Sequence, residues 1–273
     1  MMEQEKTASM RKWREVEGNR KIMMRVIDTV IFLGKQELSF RGHNESLTNT
    51  CGNVGNFLET LKLIGIYDEV IASHLEKVLK DHVRNQELCE KKKAAGKSGH
   101  VGRGSKLTFL SNHIQNKHVE IISQEIVSFI IEKIDNCIAW AIIADTTPDV
   151  TKHEQFSLCV RIVGKDGQVS EHLLFCVRAS STTGEELFNC IKQGLEKRNV
   201  KLDDLVAQTY DGAANMSGKY KGLQALIKEH VGEHVVFTHC YAHSLNLVLS
   251  DAACASLLVI CIVQQITAPP RSL

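Results

Sequence analysis

The order of segments predicts an α/β fold, a mixed five-stranded sheet with helices, preceded by a mainly helical N-terminal region. Three observations carry this. Apolar runs of strand length occupy 137–144, 156–163 and 169–178. Two further strand-like runs, 205–210 and the one before His239, alternate with helix-spaced segments. Upstream of about residue 136 the apolar residues recur at helical spacing instead.

Taken in order, residues 1–90 read as helical. A charged start leads into a stripe of Val26, Ile27, Val30, Ile31 and Leu33. A polar, glycine-containing stretch, 36–56, separates it from helices carrying Phe57, Leu58, Leu61 and Leu63, then Val70, Ile71, Leu75, Val78 and Leu79. Residues 91–106 form a basic loop without apolar periodicity. Lys91, Lys92, Lys93, Lys97, Arg103 and Lys106 give it a local positive charge that nucleic-acid phosphates would attract. Its Gly96-Lys97-Ser98 lacks the earlier glycine of a nucleotide-binding loop, since position 91 is Lys. A connecting helix fills 107–136, with Ile114, Ile121, Ile122, Ile126, Phe129, Ile130 and Ile134 expected on one face.

The strand region begins at 137 and its core is expected to run to 267, leaving 268–273 as a tail. The nearly continuous apolar run 137–144 suits a central strand covered on both faces. Lys165-Asp166-Gly167-Gln168 marks a hairpin between the next two strands. Thr182 and Thr183, with Glu185 and Glu186 three residues on, predict a capping box opening a helix with Leu187, Ile191 and Leu195. If the first three strands form a meander, a right-handed crossover through that helix lays 205–210 parallel to 137–144. The sheet order is then 3-2-1-4-5. Strands 1 and 4 flank the switch point, where clefts open at strand C-termini.

Asp145 and Asp211 fall at those two ends. Paired carboxylates there could hold Mg²⁺ or Mn²⁺ weakly, as phosphoryl-transfer sites do. Each also has a local reading. Asp145 precedes Pro148 and could bond its own turn, and Asp211-Gly212 is a common turn dipeptide. Asp149 reads as a turn residue. His239, Cys240 and His243 look like half a zinc site, but without a second Cys/His cluster a closed zinc site is not expected. Cys240 and His243 are instead expected beside the acids, at a strand–helix junction.

Bulk properties set limits. Hydrophobic content of 43% and a net charge of +1 are those of an ordinary globular chain with no overall nucleic-acid footprint. Nine scattered cysteines without a Cys-x-x-Cys pair read as buried reduced thiols of an intracellular protein. Met1 to Val16 is too charged for a secretory signal. The apolar stretch Leu245 to Val263 is interrupted by Asn246, Ser250, Asp251 and Ser256, so it reads as a buried helix and no membrane partner is expected.

Three segments together resemble the catalytic core of hAT-superfamily transposases, and within them the zinc finger MYM-type protein 1-like group. They are Asp145-Thr146-Thr147-Pro148-Asp149-Val150 with Glu154-Gln155, then Tyr210-Asp211-Gly212-Ala213-Ala214-Asn215-Met216-Ser217-Gly218, then His239-Cys240-Tyr241-Ala242-His243-Ser244-Leu245-Asn246-Leu247. Phe40-Arg41-Gly42-His43-Asn44-Glu45 and Gly55-Asn56-Phe57 resemble the segment before that core. The resemblance implies an RNase H-like fold, incomplete at its C-terminus, with Asp145 and Asp211 as first and second acids of an Asp, Asp, Glu triad. It implies Cys240 and His243 as the Cys-x-x-His motif near the active site, and a nuclear location. No Glu follows Glu233, so the triad's third member is absent from this sequence.

The leading expectation is a transposon-derived core, degenerate or truncated, that does not catalyse strand transfer. Next comes a domesticated, non-catalytic nuclear module binding DNA, a protein partner or a second copy of itself. Last comes a complete nuclease or phosphatase using another acid, with Glu154 and Glu171 as candidates.

Overall fold

The computed structural model describes residues 2–43, 45, 52–96, 98 and 108–255. The chain divides into two compact units, with the boundary between Gln124 and Glu125, inside the helix Asn112–Asp135.

The first unit contains α1 (Met2–Lys35), α2 (Asn56–Tyr67), α3 (Glu69–Ala94) and the first half of α4 (Asn112–Asp135). Its core joins Val26, Val30 and Leu33 of α1 to Phe57, Leu58 and Leu61 of α2, with Ile71 and Phe109. Asp68 fixes the corner between α2 and α3. Its carboxylate accepts the Val70 and Ile71 amides at 2.9 and 3.2 Å, capping α3, and the Arg25 guanidinium at 2.7 Å. The Arg25 bond, then the Ile71 amide, hold the Asp68 carboxyl below the usual carboxylate range. Gly55, at φ 98°, lies against the backbone of Gly42, where a side chain on either would collide. That close crossing gives the two glycines of the Phe40–Glu45 and Gly55–Phe57 segments a structural purpose.

The helix α3 runs through Ala94, so Lys91, Lys92 and Lys93 belong to its last turn and not to a loop. Three cations there oppose the helix C-terminal partial charge, which helps a polar segment stay helical. Lys97, Arg103 and Lys106, like the tail 268–273, lie outside the described residues.

The second unit is built on β1 (Ala139–Pro148), β2 (Glu154–Val163), β3 (Val169–Arg178), β4 (Leu205–Tyr210) and β5 (Val236–His239). The sheet order is β3-β2-β1-β4-β5, as the segment order predicts. The first three strands form an antiparallel meander, while β4 runs parallel to β1 and β5 parallel to β4. Gly167, at φ 77°, makes the expected β2–β3 hairpin. Between β3 and β4 lies α5 (Gly184–Glu196). Thr183 caps it, accepting the Glu186 amide, while Glu186 turns back to accept the Ser180 hydroxyl at 2.6 Å.

On one sheet face Trp140, Ile142, Ala144, Phe156, Leu158, Val160 and Ile162 are buried in the same core as Leu187, Ile191 and Leu195 of α5. Leu223 and Ile227 of α7 (Leu223–Val231) join them. The other residues of β1, Ala139, Ala141 and Ile143, are only half-buried. The sheet is thus less fully covered on that face than the run 137–144 suggested.

Three further expectations are corrected. In α4 only Ile130 and Ile134 of the apolar set are buried among hydrophobics, while Ile121, Ile126 and Phe129 are exposed. Over the described part of the stretch Leu245 to Val263, α8 (Tyr241–Ala255) is not buried: Leu245, Leu247, Val248 and Leu249 are exposed, and 256–263 lie outside the described residues. Periodicity identifies a helix, but not what covers it. Of the seven described cysteines, all free, Cys176 and Cys254 are exposed and the rest half-buried. Strand alternation puts Cys159 and Cys176 off the core face despite their apolar neighbours. No helix among the described residues is long and apolar enough to cross a membrane.

Candidate functional site

The site is assembled from β1, β4 and the segment after β5. Parallel pairing of β1 with β4 sets Ile142 opposite Gln208 and Ile143 opposite Thr209. Asp145 and Asp211 each lie two residues beyond the last β1–β4 pair. Side chains alternate along a strand, so Asp145 shares a face with Ala141 and Ile143, and Asp211 has the parity of Thr209. This is the half-buried face; the buried one holds Ile142, Ala144, Gln208 and Tyr210. Asp145 is exposed and Asp211 half-buried.

Both acids also make the local bonds of their turn readings. Asp145 Oδ1 accepts its neighbour Thr146's amide at 2.9 Å, and Asp211 Oδ1 accepts the Ala213 amide at 3.2 Å. Asp145 is not at the end of its strand, because β1 continues to Pro148 through antiparallel pairing with β2. It lies two residues beyond the last β1–β4 pair, where the sheet opens.

Tyr210 precedes Asp211 at the end of β4 and points into the core. It is fully buried, and its hydroxyl donates to Gln208 Oε1 at 3.0 Å, while Gln208 Nε2 donates to the Gln224 carbonyl at 3.3 Å. Burial pushes the Tyr210 hydroxyl far above its ordinary pKa. The Cys240 amide donates to the Tyr210 carbonyl at 2.8 Å, which brings the end of β5 beside Asp211. A Cβ on Gly212 would stand 2.8 Å from His239 Nε2, so the Asp211 turn lies directly against that imidazole. His239 and His243 have ring centroids 5.8 Å apart, and His243 lies in the first turn of α8. His239 thus lies against the Asp211-Gly212 turn on one side and near His243 on the other.

Among the described residues no three His, Cys, Asp or Glu side chains converge as a metal-holding group. Glu171 forms an ion pair with Arg161, and Arg161 faces Ala141, well back from the strand ends. Glu154 faces Pro148 across the hairpin. Asp149 organises that hairpin: it accepts the Thr151 amide and hydroxyl at 2.8 and 2.7 Å, the His153 amide at 2.9 Å and Gln155 Nε2 at 3.1 Å. The Thr151 hydroxyl and His153 amide above all hold its pKa down at about 2. Lys91, Lys92 and Lys93 are exposed on the first unit.

A family model described as DUF4371, ZMYM1/FAM200, RNase-like domain, matches residues 2–93 and 75–222. The chain belongs to this family. Its match takes in both candidate acids and ends before His239. Over 101 residues the chain is also 31% identical to General transcription factor II-I repeat domain-containing protein 2 of Bos taurus, which is 37% of this chain and 11% of that relative. The chain thus spans about a tenth of that relative's length.

Sequence reasoning passed over Gln208 and Tyr210, a buried hydrogen-bonded pair on the strand that leads to Asp211. Their signal was present: polar Gln208 and aromatic Tyr210 occupy alternate positions on the strand that delivers Asp211.

Proposed function

We propose that this ZMYM1/FAM200-family domain is a transposon-derived, hAT-type RNase H-like core that works in the nucleus on DNA and does not by itself catalyse strand transfer. The observation that supports this reading is the parallel pairing of Ile142 with Gln208 and Ile143 with Thr209, two residues before Asp145 and Asp211 at the switch point. An all-oxygen pair suits a hard divalent ion, so Mg²⁺ or Mn²⁺ fits better than zinc. When bound, such an ion would polarise a phosphoryl oxygen. Asp145 and Asp211 would be its protein ligands, with His243 and Cys240 beside them. Two carboxylates are few for two ions, and no third acid converges with them among the described residues. Both points support a reading in which the core binds an ion weakly and does not transfer strands.

The test has two parts. In a Mn²⁺ titration followed by electron paramagnetic resonance, the purified chain should bind weakly, and Asp145→Asn or Asp211→Asn should abolish binding. Undiminished binding in both variants would remove the site assignment. With Mg²⁺ or Mn²⁺ and labelled transposon-end DNA, no strand cleavage should appear. Cleavage lost in either variant would overturn the non-catalytic part.

A second reading, a non-catalytic partner-binding module, is favoured by one observation. Tyr241, Leu245 and Val248 form an exposed stripe at helical spacing on α8. Sedimentation of a metal-free sample would show concentration-dependent association if a second copy covers it.

A further inference from the structure

The Asp211 strand leads into a second feature at the same end of the sheet. After α6 (Ala214–Ser217) the chain reads Gly218-Lys219-Tyr220-Lys221-Gly222 before entering α7. Tyr220 is 91% exposed, and both flanking lysines are exposed. Among the described residues neither lysine forms an ion pair. A tyrosine so exposed between two unpaired cations contributes nothing to the core.

The loop is nevertheless fixed at its base. The Gly222 amide donates to the Gly218 carbonyl at 3.2 Å, and a Cβ on Gly222 would collide with the Gly218 backbone. Only glycines allow the two stems to approach so closely. Gly184, opening α5, packs against the Lys221 carbonyl in the same way, with no room for a side chain. Gln224 Nε2 donates to the Ser217 carbonyl, and Asn215 Nδ2 donates to the Thr182 carbonyl at 2.6 Å. The three central residues are thus held outward on a pinned base. Ordering cost at the moment of binding is correspondingly low.

We propose that Lys219, Tyr220 and Lys221 form a nucleic-acid-binding loop, in which Tyr220 stacks on an unpaired base and the two lysines contact the adjoining phosphates. Aromatic–base stacking flanked by positive charge is the chemistry of single-strand binding. The loop lies between Asp211 and α7 in the chain, on the segment that follows β4. The inference rests on the reading of this core as acting on nucleic acid, and it adds the side chains that would grip the strand.

The experiment uses the full chain in EDTA, so that it does not depend on a metal. Fluorescence anisotropy is measured with a labelled single-stranded DNA of about 20 nucleotides. Tyr220→Ala should weaken binding about 5- to 150-fold, the range set by roughly 1–3 kcal/mol per stacked base. Tyr220→Trp should restore it, which a merely structural role would not predict. Lys219→Ala with Lys221→Ala should lower the slope of log affinity against log salt by about 1.4, at about 0.7 per phosphate contact. Lys165→Ala, in the hairpin at the opposite end of the sheet, should leave affinity unchanged. Equal affinity of Tyr220→Ala and the unaltered chain would overturn the proposal, as would no binding by the unaltered chain. Failure of the Mn²⁺ titration would remove the acid site and leave this result standing, so the two are separable.

Discussion

Two single residues set the geometry around the strand ends. Asp149 ties the β1–β2 hairpin through four bonds, and its pKa of about 2 lies below the ordinary carboxylate value. A depressed folded-state pKa contributes stability above the unfolded value, near 4, and loses it as pH falls through the folded one. Melting temperature measured from pH about 5 to about 2 should therefore drop more steeply for the unaltered chain than for Asp149→Ala. Parallel curves would show that Asp149 is not the group responsible. Tyr210 acts on the other side. Tyr210→Phe keeps the ring but leaves Gln208 Oε1 without its donor in the core, a loss of about 1–3 kcal/mol by urea denaturation. A change well under that would mean that Gln208 finds another partner.

At the scale of elements, α5 decides how the crossover seats β4. Leu187, Ile191 and Leu195 are buried at i, i+4 and i+8, each burial giving about 1.5–3 kcal/mol. Gly194 lies between them against the Phe175 ring of β3, where a Cβ would overlap the ring atoms. The same ring is stacked by Arg198, whose guanidinium is 4.8 Å from its centroid. Gly194→Ala gains helix propensity but must displace Phe175, so the overpacking cost of about 1–3 kcal/mol should win. A melting temperature equal to or above that of the unaltered chain would show that the helix shifts freely. The pattern of Leu187, Ile191 and Leu195 made α5 legible in the sequence. Why position 194 is glycine was not, because Phe175 is distant in sequence and only β3 pairing brings it there.

At the scale of the whole molecule, the described residues form two cores. Leu61 belongs to the first and Leu158 to the second, both fully buried. Truncation of either to alanine should cost about 2–5 kcal/mol. Native-state hydrogen exchange should place the lost protection in 2–124 for Leu61→Ala and in 125–255 for Leu158→Ala, since units with separate cores open separately. Loss across both units from one substitution would show a single cooperative fold. The exposed leucines of α8 belong to this scale as well: they are apolar residues at helical spacing with a low share of burial.

The sequence by itself determined the mixed α/β class, the helical start of the chain and the order β3-β2-β1-β4-β5. These follow from local periodicity, turn chemistry and the handedness of one crossover, all of which neighbouring residues specify. Tertiary structure alone decided the rest. It settled that β1 continues past Asp145, that α3 absorbs Lys91 to Lys93, and that His239 lies against Gly212. It also left α8 exposed among the described residues and pinned Gly218 to Gly222 beneath Tyr220. Each depends on which distant surfaces meet and how closely two backbones approach. Periodicity names the face a helix or strand could bury, but only packing decides whether anything is there to bury it.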